Sequence, residues 1–156
     1  MEIELKRIEK HELKKAYKMH RKGFMPTFLK YRDWFYNPLF QNYTKIKQYY
    51  NHENMFMYFI ICDSIEVGQI WIYIKEDSGR LARLFVLKEH QNQGIATKAI
   101  KLAEEIFSDR QRWCLDTIKQ EKNNCHLYEK SGYKQTGSEK IINKRMTIIN
   151  YEKEIK

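Results

Sequence analysis
The sequence predicts a single α+β, or α/β layered, domain spanning residues 1–156 and built on a mixed β-sheet. Three observations carry that expectation. Apolar runs of strand length, separated by Asp, Ser and Gly turns, fill residues 56–87. Beyond them the periodicity alternates as strand, helix, strand, helix, strand, strand. Finally, 156 residues suit one core and are too few for two ordinary domains, and no repeat or low-complexity linker interrupts them.

Ile3, Leu5 and Arg7 with Ile8 read as a short opening strand. Leu13, Ala16, Tyr17, His20 and Phe24 then recur at helical spacing, so an amphipathic helix follows, with His20 on its apolar stripe as a packed residue. Between Met25 and Asn54 aromatics crowd a stretch that Pro26 and Asn37-Pro38 should break into short helices and loops. Phe56–Cys62 and Ile65–Ile74, joined by Asp63-Ser64, form a hairpin, and Asp77-Ser78-Gly79 turns the chain into a third strand, Leu81–Leu87. A wide apolar face on Ile95, Ala99, Leu102 and Ile106 with Ala96, Ile100, Ala103 and Phe107 predicts a buried helix over 94–108. Arg112–Ile118 reads as a strand. A short helix holds Leu127-Tyr128 and stops at Gly132, and two closing strands follow, around 133–136 and 141–151.

Apolar residues make up 42% of the chain and charged residues 31%, the balance of a folded soluble protein rather than a disordered one. Met1–Arg7 alternates apolar and charged residues with no apolar signal region, and no uncharged run is long enough to span a bilayer, so a cytoplasmic protein with no membrane partner is expected. Cys62, Cys114 and Cys125 are odd in number and lack any spacing suited to zinc, so reduced cysteines and no metal are expected. The net charge of +9 calls for an anionic partner, but the basic residues are scattered and no nucleic-acid-binding module accompanies them.

One place in the chain is built to hold an anion. The third strand ends in a polar turn, Gln91-Asn92-Gln93-Gly94, that opens directly into the apolar helix, presenting unpaired N–H groups and the positive end of the helix dipole. Gly94 and Ala96 let a pyrophosphate approach the backbone, and Gln91, Asn92, Gln93 and Thr97 add side-chain donors. Neither a Walker P-loop nor a dinucleotide fingerprint occurs.

Val86-Leu87-Lys88-Glu89-His90-Gln91-Asn92-Gln93-Gly94-Ile95-Ala96 resembles the central motif of the GNAT N-acetyltransferase superfamily, a valine approach followed by Q/R-x-x-G-x-G/A. Asn123-Asn124-Cys125-His126-Leu127-Tyr128-Glu129-Lys130-Ser131-Gly132-Tyr133 is similar to its second motif, a helix ending in L-Y-E-K-x-G-F/Y. The likeness is sharp over residues 81–137 and architectural over the first 55. It implies a mostly antiparallel central sheet flanked by helices, in which the fourth and fifth strands are parallel and splayed to admit acetyl-CoA as co-substrate. Phe85, Val86 and Leu87 would pair with the pantetheine arm, and Gln91, Asn92, Gln93, Gly94, Ile95, Ala96 and Thr97 would wrap the pyrophosphate. Asn124 would bond the pantetheine or its phosphate end, and Tyr128 would lie near the sulfur. In many relatives the asparagine stands seven residues before the tyrosine, a place held here by Glu121; Asn124 precedes Tyr128 by four.

The activity so implied is transfer of an acetyl group to a primary amine in a ternary complex. Such a transfer needs a proton for the departing thiolate, which the Tyr128 hydroxyl can supply, and a backbone N–H on Leu84–Leu87 to steady the carbonyl oxygen. For amine deprotonation Glu89, Glu66, Asp116, His126 and water all stand open. The acceptor is a small-molecule or protein amine, with a small one favoured because the aromatic stretch Phe28–Tyr50 could roof a pocket. Ile141-Ile142 and Met146–Tyr151 could pair across a homodimer. The competing classes are a non-catalytic CoA-binding regulatory domain and a basic nucleic-acid-binding module.

Overall fold
The computed structural model describes residues 1–33 and 37–155. Seven strands form one sheet in the order β1-β2-β3-β4-β5-β7-β6. They are β1 (Ile3–Arg7), β2 (Met55–Cys62), β3 (Ile65–Lys75), β4 (Ser78–Val86), β5 (Arg112–Ile118), β6 (Lys134–Asn143) and β7 (Met146–Glu154). Only β4 and β5 run parallel; every other neighbouring pair is antiparallel. The α-helices among the described residues are α1 (Leu13–Tyr31), α2 (Tyr43–Asn51), α3 (Ile95–Ile106) and α4 (Lys122–Lys130).

The sheet is buried on both faces, which explains why its central strands read as continuous apolar runs rather than alternating ones. In β2 the period-2 rule sends Met57, Phe59 and Ile61 into one core with α1 and α2, and Tyr58 and Ile60 into another with α3 and α4. Ala16, Leu13 and Ile46 cover the first face, and Ile95, Ala99, Ile100 and Ala103 cover the second. The α1 face is also tied by a buried polar pair: Gln69 Nε2 donates to the Ala16 carbonyl, and Trp71 Nε1 donates to Gln69 Oε1, both at 2.9 Å. Both polar ends of the buried Gln69 amide thus find a partner, as burial requires.

Two expectations give way. The first helix does not stop before Pro26 but carries it inside and continues to Tyr31, ending on Arg32 in the left-handed region at φ 53°. Proline there removes one backbone donor, a cost the apolar contacts of Phe28 and Tyr31 beyond it outweigh. The closing strands also divide differently, since residues 141–151 are not one strand. Ile141 and Ile142 end β6, the chain reverses at Lys144-Arg145, and β7 begins at Met146. The turn lacks Gly or Pro; it is held instead by Arg145 N–H donating to Asn143 Oδ1 at 2.8 Å. Since β7 is paired on both sides, the free edge at this end of the sheet is β6, where Ile141 is exposed. No helix among the described residues is long and apolar enough to cross a membrane.

Candidate active site
The parallel strands part. They pair only at Ser78 with Arg112, Gly79 with Trp113 and Arg80 with Cys114, although β4 continues to Val86 and β5 to Ile118. The result is a V-shaped gap whose walls carry backbone groups without a ladder partner. Register decides which groups those are. Leu87 N–H donates to the Val67 carbonyl at 2.8 Å, and the pairing Gln69 with Phe85 follows two residues on. In an antiparallel ladder alternate residues bond to the same neighbour, so Phe85 and Leu87 turn their N–H groups toward β3, while those of Leu84 and Val86 point into the gap. The Val86 carbonyl is already engaged, accepting from Gln91 Nε2 at 2.8 Å. Gln91 therefore fastens the strand exit, a task its sequence position did not reveal.

The turn at the end of β4 leads into α3 through two left-handed residues, Asn92 at φ 62° and Gly94 at φ 78°. Gly94 is the N-cap of α3, and no side chain caps the helix. The first helical bond comes from Lys98 N–H to the Gly94 carbonyl, leaving the N–H groups of Ile95, Ala96 and Thr97 unspent at the positive end of the dipole. A Cβ added to Gly94 would meet nothing within 4 Å, so the space above this glycine is open. Ile95 is buried beneath and anchors the turn, while Gln91, Asn92 and Gln93 are exposed.

A cavity of about 1400 Å³ joins this turn to the gap. Phe85, Val86, Leu87, Gln91, Asn92, Gly94, Ile95, Ala96, Thr97, Asn124 and Tyr128 all line it; Gln93 does not. Tyr128 is buried on α4, with its ring against Tyr133 and Tyr151, and its hydroxyl has no hydrogen bond among the described residues. Burial, reinforced by the neighbouring Cys125, pushes its phenol well above the ordinary range, so it is held as a proton donor. Glu121, standing where many relatives of the motif carry asparagine, accepts from Lys30 Nζ and Tyr31 Oη, each at 2.5 Å, and so ties the end of α1 to the start of α4. Burial works to raise the Glu121 carboxyl, but those two donors outweigh it and hold it low.

Of the four proposed bases, Glu89 and Asp116 line the cavity, whereas Glu66 and His126 do not. Glu66 is paired with Lys15 at 2.8 Å. Glu89 is paired with Lys22 at 3.2 Å, and its own backbone N–H together with Lys22 holds its carboxyl below the usual range. Asp116 pairs with Arg80 and accepts from Asn150 Nδ2. Both are engaged by cations.

On the α1 and α2 side, Phe24, Tyr49, Trp71, Tyr73, Arg21 and Arg83 complete the wall. The aromatic roof expected from Phe28–Tyr50 is thus supplied largely from α1 and β3, with Tyr49 from α2. Phe28 and Tyr31 are buried, and Tyr43 and Tyr50 pack on the core beneath α2. Trp34, Phe35, Tyr36 and the side chain of Phe40 lie outside the described residues. Arg83 was missed from sequence, though it left a signal: it is the one charge within the apolar run Leu81–Leu87.

Residues 32–155 match the family model described as an acetyltransferase (GNAT) domain. No curated protein matches the sequence closely enough to count as a relative. The fold is similar to that of the PaiA N-acetyltransferase of Thermoplasma acidophilum, solved with coenzyme A, at 19% identity and TM-score 0.75, covering 99% of this chain and 100% of that one. It is also similar to the spermidine N-acetyltransferase of Vibrio cholerae, solved with CoA and spermine, at 16% identity and TM-score 0.75 over 96% and 94% of the two chains. The ribosomal-protein-S18-alanine N-acetyltransferase of Escherichia coli shares 12% identity at TM-score 0.78 over 99% of this chain and 94% of that one. The motifs, the splayed parallel pair and the family match converge on one conclusion: the chain belongs to the GNAT acetyltransferase family.

Proposed function
We propose that the protein is an acetyl-CoA-dependent N-acetyltransferase that moves an acetyl group directly to a primary amine within a ternary complex. The observation that carries this reading is the continuity of the cavity, which runs from the uncapped α3 turn through the β4–β5 gap to Tyr128 and on to the aromatic wall. The turn from Gln91 to Thr97 holds the pyrophosphate on the N–H groups of Ile95, Ala96 and Thr97. The gap-facing backbone groups of Leu84 take up the pantetheine, and Asn124 supports it from α4. Solved neighbours that are a spermidine N-acetyltransferase and a ribosomal-protein-S18-alanine N-acetyltransferase are consistent with an amine acceptor.

In the transfer, the amine nitrogen bonds to the thioester carbonyl carbon and the carbon–sulfur bond breaks. Val86 N–H, unpaired in the gap, donates to the carbonyl oxygen as negative charge gathers on it. The Tyr128 hydroxyl gives its proton to the departing thiolate and regains one from solvent. The proton lost by the amine goes to water, because Glu89 and Asp116 are both committed to cations. Tyr128→Phe should lower kcat roughly 100-fold in a thiol-release assay, within the range general acids contribute, with little change in acetyl-CoA affinity. Full kcat in that variant at every pH would remove Tyr128 from the chemistry.

A further inference from the structure
The carboxylates on the cavity wall are each engaged, whereas one largely buried cation meets no carboxylate among the described residues. Glu89, Asp116 and Glu121 each pair with a cation, respectively Lys22, Arg80 and Lys30. Asp33, also on the wall, is buried and accepts from Asn37 Nδ2 at 3.1 Å. Arg83 has no carboxylate partner among the described residues. Its guanidinium donates to two neutral oxygens, the Ala82 carbonyl at 3.1 Å and Gln41 Oε1 at 2.9 Å, and its Nε is sealed from water with no partner. The charge lies over the rings of Trp71 and Tyr49, 5.6 and 5.9 Å from their centroids. A second guanidinium on the same wall, Arg21, also donates only to a neutral oxygen, the Leu39 carbonyl at 3.0 Å.

An arginine drawn out of water costs free energy unless an anion meets it, and the described residues offer it none. Burial accordingly works against the Arg83 charge, and it depresses the neighbouring His20 as well, so His20 contributes no further cation. Arg83 is on the α1 and α2 side of β4, three residues before Val86, roughly 10 Å along the strand. One small molecule can therefore reach both the guanidinium and the carbonyl to be attacked.

We propose that the acceptor amine of this enzyme carries a carboxylate, which pairs with Arg83 on the aromatic floor of Trp71 and Tyr49. The inference rests on the acetyltransferase reading and narrows its substrate class: an amino acid or an ω-amino acid in place of a polycation. Gln41 Oε1 holds the site of the anion, and the carboxylate displaces it to gain a charge-assisted contact.

The test is a thiol-release screen with matched amines: phenylalanine against phenethylamine, lysine against cadaverine, 6-aminohexanoate against hexylamine, with 2-aminoethylphosphonate and spermidine alongside. The carboxylate member of at least one pair should exceed its partner roughly 100-fold in kcat/KM, as a site built for a polar group rejects the analogue lacking it. Arg83→Gln should collapse that ratio, mainly through KM, and Arg83→Lys should restore part of it. Acetyl-CoA affinity, measured on each variant, separates lost folding from lost recognition; if Arg83→Gln does not fold, Arg83→Lys carries the comparison by lowering the ratio. Equal turnover within every pair, preference for spermidine, preference for the phosphonate over every carboxylate, or a ratio insensitive to Arg83 overturns the inference and leaves the acetyltransferase reading standing. Acetyl-CoA binding with no turnover of any amine removes both.

Discussion

At the scale of single residues, the molecule tolerates polar groups in its interior on strict terms. Gln69 is fully buried and meets both its partners, while His20 is fully buried and meets none among the described residues, stacking instead on Trp71 at 5.0 Å. Burial, helped by the charges of Arg83 and Arg21, lowers the His20 pKa to about 3. Its unfolded value is near 6.5, so between those limits the unfolded chain binds a proton that the folded one refuses. Stability is therefore complete above the unfolded value and lost as pH falls through that window, at about 1.4 kcal/mol per pH unit from this group. His20→Leu should flatten the acid limb of urea midpoints measured at pH 7, 5 and 4; parallel limbs in the two proteins would show that His20 is not the titrating group. His20 was legible as a packed residue from its place on the helix stripe. Arg83 was not, because its burden lies in what fails to pair with it, and pairing is a property of the folded wall.

At the scale of elements, local chemistry made most of the strands readable and hid the places where tertiary contacts decide. Arg112–Ile118 is a strand with the bounds read from sequence, and the Asp63-Ser64 turn closes its hairpin. Pro26 misled because helix propensity is a weak prior against the packing of Phe28 and Tyr31. The β6–β7 turn was hidden because Asn143 makes it without glycine or proline. The α3 turn was readable as a turn into a helix: its glycine takes a left-handed backbone with open space above it. Gly94→Val should cost about 1–2 kcal/mol in stability from the left-handed φ alone. It should also weaken acetyl-CoA binding roughly tenfold or more, about 1.4 kcal/mol, since its branches enter the open space. A destabilised variant with unchanged acetyl-CoA affinity would place the pyrophosphate elsewhere.

At the scale of the whole molecule, layering creates the site. Parallel β4 and β5 are joined through α3, which covers one face of the sheet and starts just beyond the end of β4, beside the gap. The same layering puts the proposed acceptor wall, with Arg83, on the α1 and α2 face and the proposed cofactor turn at the mouth of α3. The turn proposed to hold the cofactor could be located in the sequence because one short motif builds it from contiguous residues. The acceptor half could not, since Arg21, Tyr49, Trp71 and Arg83 come from four elements that only the fold brings together. The net charge of +9 is spread over the surface and does not by itself choose between CoA and nucleic acid. Calorimetric titration with acetyl-CoA, run beside dephospho-CoA, ATP and a short DNA duplex at two salt concentrations, makes that choice. Saturable acetyl-CoA binding in the micromolar range that survives added salt is the predicted result. Absence of acetyl-CoA binding, with salt-sensitive binding of the duplex instead, would contradict the account.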